Sequence, residues 1–277
     1  MRKTILLLPF AALLAGAVAA APGLPLLAPK YKEIPVAGGG TIQGVVKIDP
    51  VPAVAEFAVG KDQQTCHATK PNHRLSVDGE TKGVGSAVVY LEGIEAGKAL
   101  PSGVTATIDQ KECVYSPFVT VVPAKSDLGF TSSDPILHNV HVFEGDVDNP
   151  HSLKRDVFNS AMKDNKVPRQ TLEARDLRKP ALFFVRCDAG HVWMSAYIWV
   201  VDHPYYAVTD SKGAFELKDV PPGRYTLRFW HPGWTATPQE SDGQVTGYSY
   251  GAPLQHSASV DVTANGTTKI DWAMPGG

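Results

Sequence analysis

Past residue 40 this chain carries no sustained 3.6-residue apolar period. Short runs rich in Val, Ile, Tyr and Phe recur instead, at 41–48, 86–91, 118–122, 138–143, 181–186 and 197–201, separated by clusters of Gly, Pro and Asp. Apolar runs this short, bounded by turn formers, suit strands and not helices, and they predict an all-β chain. A second block follows Asp202-His203-Pro204. It has strand runs at 207–217 and 220–231, a hairpin turn at 210–213, a second turn at Pro222-Gly223, and two more strands within 258–274 around Asn265-Gly266. This length favours two units over one, so the reading is a larger β-sandwich over 41–203 and a smaller one over 204–277. Residues 148–180, polar with both signs of charge, and 232–256, rich in Gly, Ser, Thr and Tyr, read as solvated loops or an insertion.

The chain opens with Met1-Arg2-Lys3, an apolar run over 4–15 and small residues at Ala17-Val18-Ala19. That is the pattern of a secretory signal peptide, assigned to 1–21. The apolar run is too short to span a bilayer, and no Cys near the cut could accept a lipid. Residues 22–40, rich in Ala, Pro and Gly, read as a flexible linker. The expectation is a soluble exported protein, periplasmic with an extracellular location as the alternative, and without a later transmembrane segment. Losing Arg2 and Lys3 moves the formal charge from −2 to −4. That is too close to neutral for the basic field that nucleic acid or anionic lipid would need, so no nucleic-acid partner is expected.

Export changes how the three cysteines, Cys66, Cys113 and Cys187, are read. In an oxidising compartment two should pair and one should be left for another task. Cys187 is the natural odd one out, because Cys187-Asp188-Ala189-Gly190-His191-Val192-Trp193-Met194 places a thiolate, an imidazole and a thioether in one short stretch. Cys66 is thereby left with Cys113, a bridge contributing about 4 kcal/mol in the chain-entropy picture. Thiolate, imidazole and thioether are soft donors suited to copper, and two His, one Cys and a weak axial Met form the blue-copper set. The second imidazole has a candidate in Asp134-Pro135-Ile136-Leu137-His138-Asn139-Val140-His141. His138 and His141 are three apart, so a regular strand turns them to opposite faces and only one suits the metal.

These segments carry a resemblance. The spacing Cys-x3-His-x2-Met resembles the second half of the copper loop in the binuclear centre of cytochrome oxidase subunit II, a cupredoxin domain. Phe183 stands where that centre has its other Cys, which implies one copper ion and not two. Leu137-His138-Asn139-Val140 resembles the Pro-His-Asn-Val segment of plastocyanin-type proteins, which implies His138 as the further ligand. The arrangement as a whole resembles exported bacterial proteins, some labelled methylamine-utilisation or plastocyanin-like, that join a cupredoxin-like domain to a carboxypeptidase-regulatory-like domain. It rests on Ile108-Asp109-Gln110, Cys113-Val114-Tyr115, Ser133-Asp134-Pro135, the two ligand segments, Asp202-His203-Pro204-Tyr205 and Val220-Pro221-Pro222-Gly223. It departs from them at Pro117-Phe118-Val119, where the family often has Pro-His-Val, and at Ala189-Gly190-His191-Val192, where Val-His-Pro is commoner. The implied fold is all-β, a cupredoxin-like Greek-key β-sandwich followed by a smaller transthyretin or carboxypeptidase-regulatory-like β-sandwich.

The candidate metal ligands are therefore His138, Cys187, His191 and Met194, with one copper ion as cofactor. Asn139 and His141 are candidates for the surrounding shell, Asn139 through a hydrogen bond to the backbone beside Cys187. Trp193 and Trp230 read as packed aromatics; His67, His73, His151, His203 and His256 read as surface or turn residues. No nucleophile elbow, phosphate loop or carboxylate pair suggests an enzyme. The leading function is one-electron transfer in the periplasm with a redox partner protein. The alternatives are a copper carrier or resistance protein without electron transfer, or a metal-free β-sandwich binding module.

Overall fold

The structure is a computed structural model that describes residues 31–276. The expected signal peptide and residues 22–30 of the expected linker lie outside the described residues. Nearly all the regular structure is strand, and the principal strands form four sheets stacked one on another around three apolar cores.

The first sheet has the order Gln170–Thr171, Asp127–Ser132, Thr105–Lys111, Val114–Ser116. The second has Arg155–Met162, His138–Gly145, Ala181–Arg186, Ser195–Val201, Val119–Pro123. Between them lies a core that includes Ile108, Phe130, Val142, Phe183, Val185 and Ile198. The third sheet runs Tyr206–Val208, Val88–Glu92, Gly223–His231, Leu254–Val262. The fourth centres on Gly40–Ile48, with Ala214–Val220 on one side and Thr267–Lys269 and Trp272–Met274 on the other. Ile42, Val46, Leu91, Phe215, Leu227, Phe229 and Trp272 fill the space between these two sheets.

Two-sided burial explains the sequence of the central strands. Every residue of Ser195–Val201 is buried. Alternate side chains go opposite ways: Ala196, Ile198 and Val200 enter the first core, while Tyr197 and Trp199 enter a third core between the second and third sheets. Ala181–Arg186 divides likewise, with Phe183 and Val185 on one face and Leu182 and Phe184 on the other. Trp230 and Val88 complete this seam from the third sheet, and the Trp199 and Trp230 rings meet edge to face at 5.2 Å between centroids. Each such aromatic contributes about 2–3 kcal/mol by burial, which makes the seam a permanent core and not a loose domain contact.

The connectivity corrects the expected division at 203/204. Gly40–Ile48, expected in the first unit, pairs with Ala214–Val220, Thr267–Lys269 and Trp272–Met274; Val88–Glu92 pairs with Tyr206–Val208 and Gly223–His231. The second sandwich is thus built from both ends of the chain, and most of the first is inserted between Glu92 and Tyr206. Pairing partners lie 116 or more residues away, which no local pattern records. The described end of the expected linker is also ordered: Lys32–Glu33 pairs in parallel with Ala96–Gly97, and the Tyr31 hydroxyl donates to the Lys98 carbonyl at 2.6 Å.

Both segments read as solvated loops contain strands. Arg155–Met162 lies along His138–Gly145, and Met162, Leu172 and Leu177 are core residues. Ala236–Ser241 and Gln244–Tyr250 form a hairpin. The turns at 210–213, Pro222-Gly223 and Asn265-Gly266 do reverse the chain. They carry it between the third and fourth sheets, so 210–213 is not a hairpin turn between paired neighbours.

Candidate metal centre

Ala181–Arg186 and Ser195–Val201 are antiparallel neighbours whose last register pair is Arg186 with Ser195, so residues 187–194 form the loop that joins them. Gly190 takes φ +94°, a backbone state that a side chain would strain, and the Met194 N–H closes a turn onto the His191 carbonyl at 2.9 Å. This turn folds His191 back beside Cys187, with Nδ1 3.7 Å from Sγ. His138 opens the adjacent strand, paired with the Cys187 strand from His141 onward. Its Nδ1 lies 3.0 Å from the Nδ1 of His191. His138, Cys187 and His191 therefore turn their donor atoms to one point, all within 4.8 Å of one another.

The group is almost wholly buried. His138, His191 and Met194 are 0% exposed and Cys187 is 4% exposed. Burial pushes the Cys187 thiol pKa up, against backbone N–H groups that pull it down, and burial with His138 nearby pushes His191 down. Both shifts disfavour a charged side chain until a cation is present to compensate it.

The outer ring nitrogens are occupied. His138 Nε2 lies 2.8 Å from Asp134 Oδ2 and His191 Nε2 lies 2.9 Å from Asp62 Oδ2. A neutral imidazole carries a single N–H, and a carboxylate can only accept. With both N–H groups directed outward, the two Nδ1 lone pairs face each other and call for a cation between them. Two imidazoles, one thiolate and a buried thioether three residues on fit a soft, copper-type ion.

Asn139 and Tyr115 hold the loop. The Asn139 N–H points at Cys187 Sγ at 3.3 Å, and Asn139 Oδ1 accepts the Asp188 N–H at 3.2 Å. The Tyr115 hydroxyl lies within hydrogen-bond reach of the carbonyls of Asn139 and Arg186, on the two strands that carry the ligands. His141 is not in the donor group. It lies between Asp188 and Asp156, Nδ1 against the first and Nε2 2.9 Å from the second. Trp193 is fully buried and donates to the Cys113 carbonyl at 2.9 Å.

Cys66 and Cys113 are joined in a disulfide across 47 residues, and Cys187 is free and buried. Sequence reading missed Asp62 and the role of Asp134. Asp134 sits four residues before His138, a spacing that could have flagged it; Asp62, 129 residues from His191, left no such signal.

A cover from outside the first sandwich closes the site. The 236–250 hairpin arches over the ligand loop, leaving a cavity of about 470 Å³ lined by Cys187, Val192, His151, Tyr248 and Tyr250 among others. Tyr248 meets Phe57 edge to face and accepts the Ala58 N–H at 3.2 Å, which ties the hairpin to the segment bearing Asp62. Behind the hairpin, Arg74 is 1% exposed and, among the described residues, has no carboxylate partner. It donates to Ser195 Oγ at 3.0 Å and Tyr197 Oη at 2.7 Å and lies 3.9 Å from the Tyr250 ring centroid.

His73, His151 and His203 lie in turns or bends, as expected, but their rings turn inward and not to the surface. Both ring nitrogens of His73 are sealed from solvent, His151 lies 2.7 Å from the Tyr197 hydroxyl, and His203 is 9% exposed. Burial first, and the Arg74 charge second, lower His73 to about 4 and His151 and His231 to about 3.

No family model matches this chain, and no curated protein matches it. Among solved structures it is similar to a copper-containing nitrite reductase from Thermus scotoductus, with 18% identity over 38% of this chain and a TM-score of 0.27; the chain spans only 23% of that protein's length. It is also similar to a purple cupredoxin from Nitrosopumilus maritimus, with 17% identity, 35% of this chain, 99% of that chain and a TM-score of 0.27. A third similar structure is auracyanin A, a blue copper protein from Chloroflexus aurantiacus, with 17% identity, 36% of this chain, 100% of that chain and a TM-score of 0.29.

Proposed function

We propose that this is an exported, periplasmic, mononuclear copper protein that transfers single electrons to and from a protein partner. The first sandwich is read as cupredoxin-like and the second as a carboxypeptidase-regulatory-like module that acts as support. His138 and His191 would hold the ion through Nδ1, Cys187 through Sγ and Met194 through its thioether sulfur; bound copper would supply the one-electron redox couple. The observation that carries this reading is the buried, preassembled donor group, whose three donors converge while 0–4% exposed. Two paired neighbouring strands, His138–Gly145 and Ala181–Arg186, hold His138 and Cys187 at their ends, the Met194–His191 turn fixes the rest of the ligand loop, and burial leaves little solvent to reorganise when the charge changes.

Burial also separates this reading from copper carriage. A carrier must hand its ion over and is better served by open ligands, whereas here the hairpin and the Asp62 segment cover them. Catalysis has less support. Among the described residues, the other group able to hold a metal is Cys113, Asp134 and His138, which shares His138 with the first and has its cysteine in the disulfide. The test is the optical spectrum of copper-loaded, oxidised protein beside Cys187→Ser. An intense visible thiolate-to-copper band, absent from the variant, is expected; copper uptake without that band would refute the electron-transfer reading.

A further inference from the structure

We propose that Asp62 and Asp134 are paired positioning residues of the metal centre, holding His191 and His138 as Nε2–H imidazoles and biasing bound copper toward its oxidised state. The inference deepens the copper reading and rests on it. Each carboxylate oxygen lies 2.8–2.9 Å from the outer nitrogen of a different histidine. Neither aspartate belongs to the ligand loop, and each is held by other contacts. Asp134 is 6% exposed and its two oxygens accept the backbone N–H groups of Glu112 and Cys113, each at 2.8 Å. The Asp62 carbonyl accepts the N–H groups of Thr65 and Cys66 at the start of the short helix Gln63–Cys66. The disulfide from Cys66 to Cys113 joins the two mounts, so one crosslink fixes both carboxylates relative to the ring nitrogens.

Their chemistry acts in two ways. A carboxylate accepting from Nε2 keeps the hydrogen on that atom and leaves Nδ1 unprotonated for the metal, while making the imidazole a stronger donor. Two added negative charges near an ion that alternates between +2 and +1 favour the +2 state. Asp134, nearly sealed from water, is less screened than Asp62. The centre therefore gives up its electron more readily than the same four ligands would without these aspartates, which suits a donor to its partner more than a terminal acceptor.

The experiment compares Asp62→Asn, Asp134→Asn and the exposed control Asp49→Asn by copper affinity and by redox titration. Loss of a partner of this kind costs 10- to 100-fold in metal affinity, and each tenfold loss confined to the oxidised ion raises the potential by 59 mV. Both aspartate variants are expected to move upward, Asp134→Asn more, with Asp49→Asn unchanged. Because Asp134→Asn also disturbs a backbone mount, Asp62→Asn is the decisive variant, and Asp62→Glu is expected to recover part of the shift. Nitrogen-15 NMR of the metal-free protein gives a second readout: Nε2–H signals from both histidines, with Asp62→Asn perturbing that of His191 alone. A potential for Asp62→Asn equal to the control, or a His191 hydrogen on Nδ1 only, overturns the proposal. If wild-type protein takes up no copper, the copper reading and the redox bias both fall, and the NMR result identifies that failure as distinct from a misassigned hydrogen.

Discussion

Acid should open the seam between the second and third sheets before it unfolds an ordinary β-sandwich. His73, His151 and His231 are packed around Arg74, and their pKa values fall to about 4, about 3 and about 3, from burial first and the arginine second. In the unfolded chain all three return to about 6.5. Between those limits the unfolded state binds more protons than the native state, so stability is complete above pH 6.5 and lost as pH falls. At pH 5 each site lies about 1.5 units below its unfolded value, which is about 2 kcal/mol per fully buried histidine. His151 contributes less because its ring is partly exposed to the cavity, giving a combined loss of about 4–5 kcal/mol, comparable with the whole stability of many domains. The assay is urea unfolding at pH 7, 6 and 5, followed by the fluorescence of Trp199 and Trp230 within the seam. His231→Gln is expected to be less stable at pH 7 but to show a shallower pH dependence by roughly one proton. Equal stability at pH 7 and 5, or an unchanged slope in the variant, would refute the argument.

Further outcomes follow from the same packing. Cys66→Ser with Cys113→Ser releases a 47-residue constraint and should cost about 4 kcal/mol in denaturant unfolding. Trp230→Ala removes a fully buried indole where two sheets meet, and its midpoint shift should correspond to about 3–5 kcal/mol. A chain ending at residue 203 leaves Gly40–Ile48 without any of its three strand partners, and it should fail to give dispersed amide signals in NMR.

The strands and the soft-donor spacing were legible because both are local. Short apolar runs bounded by turn formers marked 181–186 and 197–201, and Cys187, His191 and Met194 share one loop. That His138 and His141 face opposite ways was legible from strand period, and the choice of His138 came from the resemblance: His138 joins the donor group and His141 lies with Asp156 and Asp188. Which strands pair was not legible, because the turns at 210–213 and Asn265-Gly266 look the same whether they join neighbours in one sheet or carry the chain to another. Asp62 was hidden by its distance along the chain, and His73 and His151 by the absence of any apolar pattern around a polar side chain. The 236–250 hairpin was hidden because it is rich in polar residues and buries only a few aromatic rings against the ligand loop.

The strand Gly40–Ile48 finds its partners as far along the chain as Met274. The hairpin that covers Cys187 and Val192 lies between two paired strands of the second sandwich, Gly223–His231 and Leu254–Val262, so its place depends on their pairing. A molecule whose second sandwich has not yet closed therefore presents its thiol and imidazoles to whatever surrounds it. Closing the second sandwich and enclosing the ligands become one event, so the order of folding itself sets the interval in which an ion can enter unhindered.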